Sequence, residues 1–94
     1  MATQTLRNLT LDVEAVTSAG IDFTLNADMH TLVLQARGGE IELKLGSKSD
    51  VEYWVLTDGQ PQSWSIPDLA GRDIYFESQS SLNVEIMQIL NDVA

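Results

Sequence analysis

Cysteine is absent from this 94-residue chain. Neither a disulfide nor a thiolate-held metal can stabilise it, so packing must, alone or with a partner. Cationic residues are scarce: five Lys and Arg stand against 14 Asp and Glu, a formal charge of −9. Such a surface repels nucleic acid phosphates and anionic lipid, whose binding proteins neutralise negative charge with Lys and Arg, so neither is an expected partner. There is a single histidine and no apolar run approaching the roughly 18 residues of a membrane span. Met1–Thr5 carry no basic segment followed by an apolar stretch, so the expectation is synthesis in a cytosol without a secretory leader.

What the chain does have is a period of two. Leu9/Leu11/Val13, Ile21/Phe23/Leu25, Leu32/Leu34/Ala36, Ile41/Leu43/Leu45, Ile74/Phe76 and Leu82/Val84/Ile86 alternate with mostly polar neighbours, as half-buried antiparallel strands must. The predicted fold is all-β, an antiparallel sandwich or jelly-roll-like arrangement of about eight short strands. The length suits one small core and is too short for two. Residues 1–5 read as a polar N-terminal arm held only by something outside the core, and residues 6–94 as a single sandwich domain.

The first strand is expected over Leu6 to Val16, with Asn8, Thr10, Asp12 and Glu14 on a solvent or interface side. Thr17–Gly20 should turn the chain into Ile21–Asn26. His30–Arg37 and the strand ending at Leu45 read as a hairpin closed by Gly38-Gly39. After the loop Gly46–Asp50, Val51–Thr57 carries apolar groups on both faces, which predicts a central or doubly covered strand. Gln62–Ile66 reads as a short edge strand behind Pro61. Pro67–Gly71 reads as a turn or a single helical turn closed by Gly71. Arg72–Ser78 and Leu82–Leu90 complete the set, and Asn91–Ala94 are expected to fray.

No catalytic centre assembles from these residues, and a non-enzymatic role is expected. His30 has Asp28 two positions away, but no Gly-x-Ser-x-Gly elbow supplies a nucleophile. Glu40 and Glu42 share a strand face about 7 Å apart, yet alternate with Ile41 and Leu43 as a solvated face does. Asn26, Asp28 and Asp22 offer oxygens near one turn without an Asp-x-Asp-x-Asp-Gly calcium loop. No metal or cofactor is expected. Asn8-Leu9-Thr10 matches the glycosylation acceptor and reads as idle without a leader.

The aromatics are the better candidates. Trp54 and Phe76 suit a core. Tyr75 shares its parity with Asp73 and Glu77 and is expected exposed, and Trp64, between Ser63 and Ser65, suits either the end of the core or an interface anchor. Trp64, Tyr75 and Gln62 would also serve as a sugar-stacking platform, the alternative reading.

The stretch Tyr53-Trp54-Val55-Leu56-Thr57-Asp58-Gly59-Gln60, then Trp64-Ser65-Ile66-Pro67, Gly71-Arg72-Asp73-Ile74-Tyr75-Phe76-Glu77-Ser78 and Val84-Glu85-Ile86 resembles the carboxyl-terminal halves of small β-sandwich virion proteins of tailed bacteriophages. The resemblance covers about residues 51–90. It implies a capsid decoration (cement) protein, or a head or tail accessory component. Such a protein is made in the host cytoplasm, resides in the virion, binds the major capsid protein or another virion protein, and is frequently a homotrimer. It also implies a role for the arm, Thr3, Gln4 and Thr5 included, along a neighbouring subunit.

Overall fold

Alternation along most of the chain becomes nine strands in the computed structural model, which describes residues 2–6, 9–45, 53–65 and 67–90. They are β1 (Ala2–Leu6), β2 (Leu9–Val16), β3 (Ile21–Thr24), β4 (Met29–Arg37), β5 (Ile41–Lys44), β6 (Trp54–Leu56), β7 (Gln62–Trp64), β8 (Asp73–Glu77) and β9 (Leu82–Leu90), with one 3-10 turn at Pro67–Leu69. The antiparallel pairs β2–β9, β3–β8, β4–β7 and β5–β6 make the chain one long hairpin, out through β5 and back from β6. Two further pairs, β4–β9 and β5–β8, roll that hairpin into a sandwich. One sheet has the order β1-β2-β9-β4-β7 and the other β3-β8-β5-β6. With β1 set aside, this is the strand order that defines a jelly roll.

Period-two burial fills the space between the sheets. Leu32, Leu34, Val84 and Ile86 from the five-stranded sheet meet Ile41, Leu43, Leu56, Ile74 and Phe76 from the other, all essentially inaccessible to solvent. Fully burying each such side chain contributes about 1.5–3 kcal/mol. Leu69 of the 3-10 turn and Leu25 close one end. Gly71, with φ of 77°, ends that turn, as its position after a helical turn led us to expect.

Four expectations about the strands and their connections are corrected by the structure. Ala2–Thr5 are not a free arm: they lie in β1, paired with β2 from Ala2 opposite Val13 to Leu6 opposite Leu9. Gly38-Gly39 do not close a hairpin. Both edges of β4 are occupied, by β9 and β7, so the two glycines carry the chain across to β5 in the opposite sheet. Leu82 packs over both of them, and Gly38, at φ 98°, donates its N–H to Asp58 Oδ1 at 3.0 Å.

Third, the strand expected to be central or doubly covered is an edge, with Trp54 and Val55 exposed. Among the described residues β6 pairs with β5 alone, and the chain leaves the sheet directly after Leu56: Asp58 bridges Ala36 and the Gly59 N–H reaches the Ala36 carbonyl at 2.9 Å. Fourth, the faces of β2 are reversed. Its one core residue is Val16, and Glu14, Asp12 and Thr10 share Val16's parity. Asp12 is therefore buried while Leu11 and Val13 point out. The loop Gly46–Asp50, the first two residues of the expected strand 51–57, and 91–94 lie outside the described residues.

Candidate interaction surface

The reversal of β2 builds an apolar outer face on the five-stranded sheet. The outward parity of β2 brings Leu9, Leu11 and Val13 beside Ile89, Met87 and Glu85 of β9, and Met87 in turn faces Val33 of β4. Leu11 and Val13 are each 37% exposed, and Leu9, Val33, Met87 and Ile89 beside them are half-buried, which makes a contiguous apolar patch. Leu11, Val13, Val33 and Met87 line a shallow groove of about 420 Å³, with Gln35 and Glu85 at its polar end. The charges at that end neutralise each other, since Arg37 Nε donates to Glu85 Oε1 at 2.8 Å.

The outer face of the four-stranded sheet is its electrostatic opposite. Asp22, Asp73, Glu77 and Glu42 share the outward parity with Tyr75 and Lys44. Glu42 and Glu77 are direct cross-strand partners, a like-charge juxtaposition that costs stability. Tyr75 is 6% exposed, not the surface residue its parity led us to expect. The tyrosine ring lies across Gly20 with the Lys44 ammonium 5.6 Å from its centroid, and its hydroxyl donates to Glu77 Oε1 at 2.9 Å. That hydrogen bond to a carboxylate, with burial and the charges of Glu77, Asp22 and Glu42, raises the phenol's pKa above its ordinary value.

The residues singled out from the sequence are not brought together. Trp64 and Gln62 sit in β7 opposite Leu32 and Leu34, with Trp64 packed against the core. Thr3, Gln4 and Thr5 lie in β1, at the other edge of the same sheet. Tyr75 is on the opposite sheet, so Trp64, Tyr75 and Gln62 form no common sugar-stacking platform. Phe76 is in the core as expected, but Trp54, expected there, is 55% exposed at the open edge of the sandwich.

The candidate polar sites are occupied with local structure. His30 is exposed at a register shift in β4, its Nδ1 2.7 Å from Thr31 Oγ1. Asn26 Oδ1 accepts from the Asp28 N–H at 2.8 Å, and the Asn26 N–H donates to buried Gln88 Oε1 at 2.7 Å. Among the described residues no three of His, Cys, Asp and Glu are grouped to hold a metal ion. Glu40 and Glu42 do share a site, a groove of about 560 Å³ that also involves Glu77, Tyr53 and Val55.

Sequence reasoning missed the apolar outer face, though a signal for it exists. Leu82–Leu90 carries Met87 and Ile89 on one parity and Val84 and Ile86 on the other, and His30–Arg37 similarly adds Val33 to Leu32 and Leu34. It is these strands, rather than Val51–Thr57, that combine apolar groups on both faces with an interior place in a sheet. No protein family, curated protein or solved structure matches the chain.

Proposed function

We propose that this chain is a non-enzymatic structural protein of a virion, a capsid decoration protein that works as a homo-oligomer, a trimer, on the head shell. The observation that carries this reading is the outward apolar face of the five-stranded sheet, centred on Leu11, Val13, Val33 and Met87. A protein of net charge −9 associates with itself most readily where it carries no net charge, and here Arg37 and Glu85 cancel. The molecule measures 42 × 24 × 20 Å. Its broad side, about 1,000 Å², is of the order of the ~800 Å² per partner that a stable interface covers. The jelly-roll order is one that viral coat proteins use, as lectins do.

In this reading subunits turn that face towards one another, and the remaining surface meets the shell. The experiment is light scattering of the purified protein and of Leu11→Glu, followed by cosedimentation with shells lacking the protein. A trimer that becomes a monomer on substitution, and wild type that sediments with shells, are the expected results. A wild-type monomer at about 100 µM overturns the oligomeric reading, and an oligomer without affinity for shells overturns the decoration role.

A further inference from the structure

We infer that the free edge of β6, with the acidic groove beside it, is a docking site for a strand of a partner polypeptide carrying lysine or arginine at alternate positions. This surface is distinct from the five-stranded sheet's outer face, and the inference does not depend on the virion reading. Three consecutive large residues, Tyr53, Trp54 and Val55, are all exposed at this edge. Among the described residues no strand pairs with the outer side of β6, so its backbone is open to strand addition.

The occupant's chemistry follows from what an added strand would lie beside. Residues of one parity would project over the outer face of the sheet, next to Val55 and the groove that holds Glu40, Glu42 and Glu77. Val55 faces Glu42, and Glu42 faces Glu77, in one row across three strands. At the ordinary strand spacing an added residue opposite Val55 stands about 10 Å from the Glu42 backbone. The long stem of a lysine or arginine spans that gap with the glutamate side chain, covering Val55 on the way. A cation there relieves the Glu42–Glu77 repulsion, and Tyr53 offers a ring face to a second one. Residues of the other parity would lie towards Trp54, whose neighbour in the ladder is Leu43 of the core, and should be apolar. Lys44, the one basic residue on this outer face among those described, lies over Tyr75.

The test uses three synthetic ten-residue peptides: alternating Lys and Val, alternating Glu and Val, and the Lys/Val composition rearranged in two blocks. Binding to the intact protein is followed by Trp fluorescence and by amide shifts in nitrogen-15 NMR spectra. The alternating Lys peptide should bind about tenfold or more tightly than either other peptide, with amide shifts concentrated in β5 and β6. Glu42→Gln/Glu77→Gln, which keeps both side chains' size and a carbonyl acceptor for Tyr75, should weaken it about five- to tenfold. Trp54→Ser should weaken it without loss of the folded spectrum. Equal binding of the Lys and Glu peptides, undiminished binding to the double variant, or shifts confined to the five-stranded sheet would each overturn the inference.

Discussion

Tyr75 lies across Gly20 so closely that a Cβ on that glycine would fall inside the tyrosine's hydroxyl end. The same glycine has φ of 76° and closes the turn from β2 to β3, its N–H bonded to the Thr17 carbonyl at 3.0 Å. Space and backbone conformation therefore demand glycine independently. Gly20→Ala should cost about 1 kcal/mol for the backbone and about 1–3 kcal/mol more for displacing the ring. In denaturant titrations the ring-displacement part should vanish when Tyr75 is first changed to Ala. A full loss that persists in the double variant would place it in the backbone alone.

Stability should fall at high pH through Tyr75. Its pKa is raised in the folded protein, by the Glu77 hydrogen bond first and burial second, so the folded state holds the phenol proton more tightly than the unfolded chain does. The contribution is fully present below the unfolded value, near 10, and is lost as pH rises from there through the higher folded value. Thermal melts between pH 9 and pH 11 should show a decline that Tyr75→Phe makes shallower.

Replacing Glu42 by Thr should stabilise the protein. Glu42 opposes Glu77 directly, and removing one of two facing like charges in a sheet returns about 0.2–1 kcal/mol. The gain should shrink as salt screens the pair. A melting temperature that drops at low salt would show that Glu42 makes a compensating contact.

Gln88→Leu should be destabilising although it makes the interior more apolar. Gln88 is buried and its amide oxygen accepts the Asn26 N–H at 2.7 Å. Leaving that backbone donor without its partner costs about 1–3 kcal/mol. Chemical denaturation measures it, and hydrogen exchange at Asn26 and Met29 should quicken in parallel.

Leu11→Ser and Leu34→Ala test which parity is inside. Leu34 is fully buried, and truncating it should cost about 2–5 kcal/mol. Leu11 is outward, so in the isolated subunit its loss should be worth about 0.5 kcal/mol or less. Equal losses measured at dilutions that give monomer would contradict the reversed face of β2.

Much of the sandwich was legible because side-chain direction along a strand is local. Ile74, Phe76, Val84 and Ile86 are core residues as their alternation indicates, and Gly71 ends its 3-10 turn as expected. Pairing is not local, and the errors gather there. Nothing near Gly38-Gly39 tells that β4 will have both edges taken by residues 62–64 and 82–90, so the hairpin expected at that dipeptide gave way to a crossing between sheets. Tyr75 has the parity of an exposed residue and is buried all the same, because the turn at Gly20 is bare enough for the ring to lie on it.

The alternation in this sequence by itself determines that the chain is all-β and which residues of each strand lie on a common face, since successive side chains of a strand must point to opposite sides. Composition, likewise read without the structure, sets the excess of negative charge. Tertiary structure alone decided which face is covered. In β2 the register is set by the pairing with β9 and by Val16 entering the core, and that choice turns Asp12 in and Leu11 and Val13 out. It likewise left Tyr53, Trp54 and Val55 on an open edge, because the chain crosses to the other sheet at Asp58. A period of two divides a strand into two faces, but only the strands and sheet packed against it determine which of them meets water.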